Sequence, residues 1–359
     1  MQLIFDTGDY KAKHQQRSLE LDRITSGMSA NTPEQQHAKW HIARRHGLTG
    51  SQIAAVLGAS KWETPFTIWA YQTGRNNADN QVKAAFEWGH RLEPVIAQKY
   101  MDDFGVQVAE YPTVQSPEYP FLVGSVDRIV LDKNGKPVKV LEIKTSSFNR
   151  DSGEKDDDGT SLKQWGKGNV YNAQGQLIEQ DSQVPKQYLL QVMHYMILTG
   201  LKQADIAVLL NTNDYRVFTI DYDEELAAEM IKAADEFWCK HVLDDVMPML
   251  KESDAKTITP TKGATVQATD KVVKAIQVYN ELKQSIDDLT KRQQEVRDYI
   301  TGFIGTNEAL IDADENTIAT YNQCKGKVGF NSKQFKLDYP EIYAKYVTAG
   351  APYRRLVFK

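Results

Sequence analysis

The sequence predicts an α/β domain followed by a C-terminal extension that adds a long helix and short strands. Three observations lead there. Helical spacing over residues 40–104 gives way to a period near two between Tyr111 and Phe148. Helical spacing returns at Pro185, is followed by strand texture, and resumes toward Leu250. A Pro/Thr/Lys/Gly stretch, Ser253 to Ala268, then separates this alternation from a charged amphipathic segment. The expected divisions are a polar arm at 1–37, a domain at 38–252, a linker at 253–268 and an extension at 269–359.

The arm shows no sustained period and reads as a segment that docks on the domain. Leu48 to Gly58 carries a capping box from Thr49 to Gln52, an Ala/Leu/Ile run and a closing glycine, which specifies a short helix. Pro65–Tyr71 and Val82–Phe104 continue with helical spacing. The second places Ala85, Trp88, Leu92, Ile96 and Tyr100 on one face, with Glu93 one position round. Trp62, Trp69 and Trp88 are assigned to the core. Residues 149–183 begin with an acidic patch and read as a long lid-like loop anchored by Trp165. Pro185 opens a helix to Thr199 that Gly200 ends; strands at Asp205–Leu210 and Tyr215–Tyr222 and a helix from Asp223 follow. Apolar residues from Val273 to Phe303 recur at three, four or seven, as a long helix or helical hairpin requires. The last 55 residues look strand-like and close on the basic Arg354, Arg355 and Lys359.

Composition narrows the function classes. With 359 residues, 41% hydrophobic and 25% charged, the chain is neither disordered nor fibrous. Cys239 and Cys324 are too few and too far apart for a cysteine-built zinc or iron–sulfur centre, and they fit a reducing, cytosolic compartment. No run approaches ~18 uncharged apolar residues, so no membrane partner is expected. A net charge of −5 disfavours a general nucleic-acid coat but leaves room for one basic groove.

The chemistry concentrates in one hairpin. Asn134-Gly135 is a type I′ signal, and a two-residue turn there sets Asp127 opposite Glu142 and Ser125 opposite Lys144, all on one face. Opposed Cβ atoms lie ~4.5–5.5 Å apart, and like charges so placed destabilise the pair unless a cation joins them. Hard oxygen donors at that separation suit Mg²⁺, with Mn²⁺ as a substitute. Lys144 is placed to hold the attacking water or to neutralise charge at phosphorus, so the set amounts to metal-assisted phosphodiester hydrolysis. Val126, Ile129, Val130, Val140, Leu141 and Ile143 make the hairpin apolar on both faces, where unused charges are costly. His41, His46, His90 and His194 lack ligand spacing and are read as structural, and Tyr188 and Tyr195 as core.

Asp127 with Glu142-Ile143-Lys144 resembles the PD-(D/E)XK nuclease core, and the surroundings resemble the YqaJ-type branch of the phage λ exonuclease family. The segments that carry the likeness are Trp40-His41 with Arg44; Gly47-Leu48-Thr49-Gly50-Ser51; Glu87 to Pro94; Gly124 to Asp127; Leu141 to Lys144; and Tyr188 to Met196, in the family's order. Val126 stands where the family name has proline. The resemblance implies a restriction-endonuclease-like fold, a mixed central sheet flanked by helices. It implies that Asp127, Glu142 and the Ile143 carbonyl bind metal, that Lys144 is catalytic, and that Glu93 completes the acidic cluster. Arg44, Ser51, Ser125 and Gln191 correspond to the family's 5′-phosphate pocket. The implied activity is Mg²⁺-dependent 5′-to-3′ digestion of double-stranded DNA ends, leaving 3′ overhangs for a single-strand annealing partner. A homo-oligomer such as a trimer, acting in the cytoplasm of a bacterial host and encoded by a phage or prophage, goes with it. A restriction-type endonuclease and a non-catalytic DNA-end binding protein are the alternative readings of the same core.

Overall fold

The computed structural model describes residues 2–75, 84–147, 151–155, 161–172, 176–251, 254, 265–324 and 329–348. The chain divides into two units, residues 1–254 and 255–359.

Where the sequence predicts an irregular arm, the first unit opens with a 3₁₀ turn and two helices, α1 (Tyr10–Ser26) and α2 (Pro33–Ala43). Both helices are mostly polar, so no apolar stripe announces them. Specific bonds hold the arm instead. The buried carboxylate of Asp235 accepts the backbone N–H groups of Ile4 at 2.6 Å and Phe5 at 2.8 Å. The Trp238 indole donates to His14 Nδ1 at 3.2 Å.

Helix α3 (Gly50–Val56) starts as its capping residues require, with Gln52 Oε1 accepting the Thr49 N–H at 3.1 Å. Helices α4 (Pro65–Gln72) and α5 (Ala84–Phe104) follow. Trp69 is buried as expected, but Trp62 is 77% and Trp88 62% exposed, contrary to their core assignment. For Trp88 the reason is rotation. Residues spaced by four advance about 40° per step on a helix of about 3.6 residues per turn, which puts Trp88 about 120° from Tyr100.

The strands of the first unit are β1 (Gln107–Ala109), β2 (Val114–Gln115), β3 (Val123–Gly124), β4 (Arg128–Leu131), β5 (Pro137–Ser146), β6 (Asp151–Lys155), β7 (Ser161–Lys163), β8 (Val170–Tyr171), β9 (Leu177–Glu179), β10 (Gln203–Leu210) and β11 (Asp214–Asp221). The central sheet has the order β1-β4-β5-β10-β11, antiparallel except for the β5–β10 pair. That parallel pair needs a crossover, which α6 (Lys186–Thr199) supplies. The expected α/β architecture, a mixed sheet with helices on both faces, is therefore present. Helix α5 packs Ile96, Ala97 and Tyr100 against Leu141, Ile143 and Ala207. On the alternate face α6 presents Tyr188, on which the buried Trp165 stacks at 5.5 Å.

Trp165 thus anchors its segment, but that segment is not a plain loop. It carries two short hairpins, β6–β7 and β8–β9, whose few apolar residues give no strand period. Residues 148–150, 156–160 and 173–175 lie outside the described residues. Helix α7 (Glu224–Phe237) is capped by Asp223 and runs into a π-helical turn at Trp238–Leu243, shorter than the sequence suggests.

In the second unit, α8 (Asp270–Ile304) is one continuous helix of 35 residues, not a hairpin of helices. A two-stranded hairpin, β12 (Ala309–Ile311) with β13 (Thr317–Thr320), precedes α9 (Ser332–Asp338) and α10 (Pro340–Tyr346). Helices stand here where strand texture was expected. The Asn331 side chain caps α9 and Pro340 starts α10, local signals that outweigh composition. Arg354, Arg355, Lys359 and most of the 253–268 stretch lie outside the described residues. Among the described residues no helix is long and apolar enough to cross a membrane.

Candidate active site

The β4–β5 connection is not the expected type I′ turn. The Asp132 N–H bonds to the Lys136 carbonyl at 2.9 Å and the Gly135 N–H to the Asp132 carbonyl at 3.0 Å. A type I′ turn needs positive φ at both central residues, whereas of this pair only Gly135 has it, at +77°. The loop therefore has three residues, Lys133 to Gly135, which slips the pairing by one. Val138 slips it back: it is the extra residue between the Val130–Lys139 and Leu131–Pro137 pairs, a β-bulge. Two departures cancel, and Arg128 faces Leu141 as a two-residue turn would have had it.

One step beyond that last pair lies the acidic site. Asp127 Oδ2 accepts the Ile143 N–H at 2.9 Å, which fixes its carboxylate beside Glu142. Glu142 is fully buried. Its Oε1 accepts from Lys144 Nζ, while among the described residues Oε2 has no hydrogen-bond partner. Burial, and after it the charge of Asp127, push the Glu142 carboxyl well above the ordinary range against the pull of Lys144. Burial works against the Lys144 ammonium, but Glu142 and Asp127 outweigh it and hold the group charged more firmly than a free lysine. The ammonium also lies 5.2 Å from the centroid of the Tyr188 ring.

The other expected site residues divide. The Arg44 guanidinium donates to Thr49 Oγ1 at 3.2 Å, and that hydroxyl lies 3.3 Å from Ser51 Oγ. A Cβ on Gly50 would come within 3.1 Å of both Gln191 and Tyr195, so the start of α3 is seated directly on α6. Gln191 in turn donates to the Tyr195 hydroxyl at 2.9 Å. Burial, followed by Glu142, raises the pKa of Tyr195, while Lys144 opposes the shift, so Tyr195 links this cluster to the acidic one. Arg44, Ser51 and Gln191 are brought together beside the site.

Ser125 and Glu93 are not placed as expected. The β4–β5 ladder stops at Arg128, so Ser125 does not pair with Lys144; its hydroxyl lies 2.7 Å from that of Thr113. Glu93 Oε1 pairs with Arg128 Nη1 at 2.7 Å. Alternation along the strand turns Arg128 to the α5 face and Asp127 to the other, so the arginine draws Glu93 away from the acid pair. Among the described residues no three of His, Cys, Asp and Glu form a metal-holding group. Arg128 is the participant that sequence reasoning missed; the signal was a cation directly after Asp127, on the face that α5 covers.

The histidines are structural in their contacts. His194 is fully buried with Nε2 at 2.8 Å from the Val123 carbonyl, His46 lies 3.4 Å from Asp22, and His41 contacts the Tyr71 hydroxyl at 3.1 Å. His90 stands 4.0 Å from Glu93 on the surface.

Two adjacent carboxylates, one of them fully buried with an orphaned oxygen, are a hard-oxygen donor set that fits a divalent cation. Residues 39–202 match the YqaJ-like viral recombinase domain family, a span that contains every residue of the acidic and Arg44 clusters. Over that span the chain is similar to the YqaJ-like viral recombinase domain family. Over 343 residues it is 28% identical to the uncharacterized protein YqaJ of Bacillus subtilis (strain 168), covering 92% of this chain and 96% of that one. Among solved structures it is similar to an alkaline exonuclease (LHK-Exo) of Laribacter hongkongensis, with a TM-score of 0.40 and 19% identity over 58% of this chain and 93% of that chain. It is also similar to a phage related exonuclease of Haemophilus somnus 129PT, with a TM-score of 0.35 and 14% identity over 56% of this chain and 96% of that chain.

Proposed function

We propose that the YqaJ-like domain is a metal-dependent deoxyribonuclease that digests double-stranded DNA from its ends in the 5′-to-3′ direction. The observation that carries the reading is the buried Glu142, half-satisfied, with Asp127 on one side and Lys144 on the other. Asp127, Glu142 and the Ile143 main-chain carbonyl would hold the ion, with Mg²⁺ the ion of choice and Mn²⁺ its substitute. When bound, it would supply Lewis-acid polarisation of the scissile phosphate and activation of water. Asp127 is kept in place by the Ile143 N–H, and Lys144 by Glu142, so neither has to reorganise as charge develops. Lys144, held charged by Glu142 and Asp127, stabilises negative charge on the phosphoryl oxygens.

Arg44 provides a planar donor fork for a 5′-terminal phosphate, with the Ser51 hydroxyl and the Gln191 amide beside it. Ser125 belongs to this pocket only if it gives up its Thr113 contact, and Glu93 joins the acidic cluster only if Arg128 releases it. The reading extends to 3′ single-stranded products handed to an annealing protein, to a homo-oligomer, a trimer included, and to action in the cytoplasm of a bacterial host as a phage or prophage gene product. The decisive assay uses linear duplex labelled at one 5′ end, with Mg²⁺ or with chelator. Release of labelled mononucleotide only with the metal supports the reading; release in chelator, or cutting of covalently closed circles, sinks it.

A further inference from the structure

Helix α8 keeps an apolar seam open to solvent. Leu282, Ile286, Leu289, Val296, Ile300 and Phe303 recur at a heptad spacing and are 40% to 69% exposed. With Ile286 and Ile300 at the first core position and Leu282, Leu289, Val296 and Phe303 at the second, the flanking positions become fixed. The charged residues on the flanks are Lys271, Lys283, Arg292 and Arg297, all basic. Every acidic residue of the helix, Asp270, Glu281, Asp287, Asp288, Glu295 and Asp298, falls on the three outer positions. Ordinary surface helices mix the signs. Here only basic charge borders the seam, while the acids stand behind it among Lys274 and Lys291.

Flanking positions choose partners, because they face each other across a coiled coil. In a parallel pair of identical helices Arg292 would face Arg297, and in an antiparallel pair like positions would meet, so both arrangements set cation against cation. A seam bordered by glutamate or aspartate meets opposite charge in either direction. We infer that α8 is a docking surface for an amphipathic helix of another protein whose apolar stripe is bordered by acidic residues, and that it is not a self-pairing helix. This inference is independent of the hydrolytic site.

The test uses the full chain and two fluorescein-labelled peptides of five heptads, with identical Ile/Leu cores and either Glu or Lys at the flanking positions. Anisotropy should show the Glu peptide binding at least tenfold more tightly than the Lys peptide, with the advantage shrinking as salt rises. Leu289→Asp should abolish binding without lowering the thermal midpoint, since the side chain is 63% exposed. The triple charge reversal Lys283→Glu, Arg292→Glu and Arg297→Glu should invert the preference. Equal binding of the two peptides overturns the proposal. So does a dimer seen by light scattering that Leu289→Asp splits, which makes a second copy the occupant. A Leu289→Asp chain that melts early would show the seam packed on its own protein, and that too overturns it.

Discussion

Asp205 on β10 and Glu142 on β5 are buried carboxylates of neighbouring strands, and the fold treats them in opposite ways. Asp205 has donors on every side: the Tyr100 hydroxyl at 2.5 Å, the Thr219 hydroxyl at 2.7 Å and the Lys139 ammonium at 3.0 and 3.1 Å. Glu142 has one cation on one oxygen, nothing on the other, and a second acid beside it. The same sheet that satisfies one buried acid leaves the other incomplete. A buried acid that the chain leaves half-satisfied beside a second acid is where an external cation belongs, whereas a finished one is part of the scaffold.

The sharpest test of this contrast is activity. Lys144→Ala should lower nucleotide release from linear duplex by about 10²–10⁴-fold while circular dichroism stays native. Asp205→Ala should do the reverse. It strands Tyr100, Thr219 and Lys139 inside the protein, which should cost about 3–5 kcal/mol in denaturant titration while turnover per folded molecule persists. If Asp205→Ala were inactive yet stable, the contrast would be lost.

His194 probes the rule from another side. Its Nδ1 is also buried without a partner, but on a neutral ring. Burial lowers its pKa to about 4, against the bond to Val123. The folded value lies below the unfolded one, so its contribution is complete above pH ~6.5 and is lost as pH falls through about 4. Stability should fall by about 3 kcal/mol over that window, more in the wild type than in His194→Gln, with no effect on metal binding. An orphaned nitrogen on a lone neutral ring then marks packing, and an orphaned oxygen on one of two adjacent acids marks a site.

Arg44→Ala should reduce the preference for 5′-phosphorylated over 5′-hydroxyl ends by about tenfold, the worth of a charge-assisted bond, and leave metal titration unchanged. An unaltered preference would detach Arg44, Ser51 and Gln191 from the terminal phosphate.

How much of this was legible beforehand depended on the kind of signal. The sheet, α5, α6 and the Thr49 cap were written in local pattern: apolar periodicity, Pro185, Gly200 and the Thr49–Gln52 spacing. Asp127 and Glu142 came out as neighbours although the turn was misread, because the longer loop and the bulge at Val138 cancel. The order in the arm escaped because the 3₁₀ turn is tied to Asp235 and α1 to Trp238 across more than 200 positions of sequence, which no periodicity encodes. Glu93 and Ser125 escaped for the same reason. Each was assigned by position along its own segment, and each is captured by a partner, Arg128 or Thr113, that lies on another element.

The smallest effect separates electrostatics from folding at the acidic pair itself. Asp127→Asn keeps an oxygen to accept the Ile143 N–H but removes one of two adjacent charges. In chelator and at a pH above about 8, where Glu142 is ionised and only Lys144 offsets the repulsion, the variant should be more stable than the wild type by about 0.5–1 kcal/mol, the usual scale of a like-charged cross-strand pair. Saturating Mg²⁺ should erase or reverse the gain, because only the wild type then has a full donor set to bind it. A variant that is less stable in chelator would mean that Asp127 supports the hairpin more than it burdens it. The acid pair would then be scaffold of the Asp205 kind, and the case for a cation between Asp127 and Glu142 would fall with it.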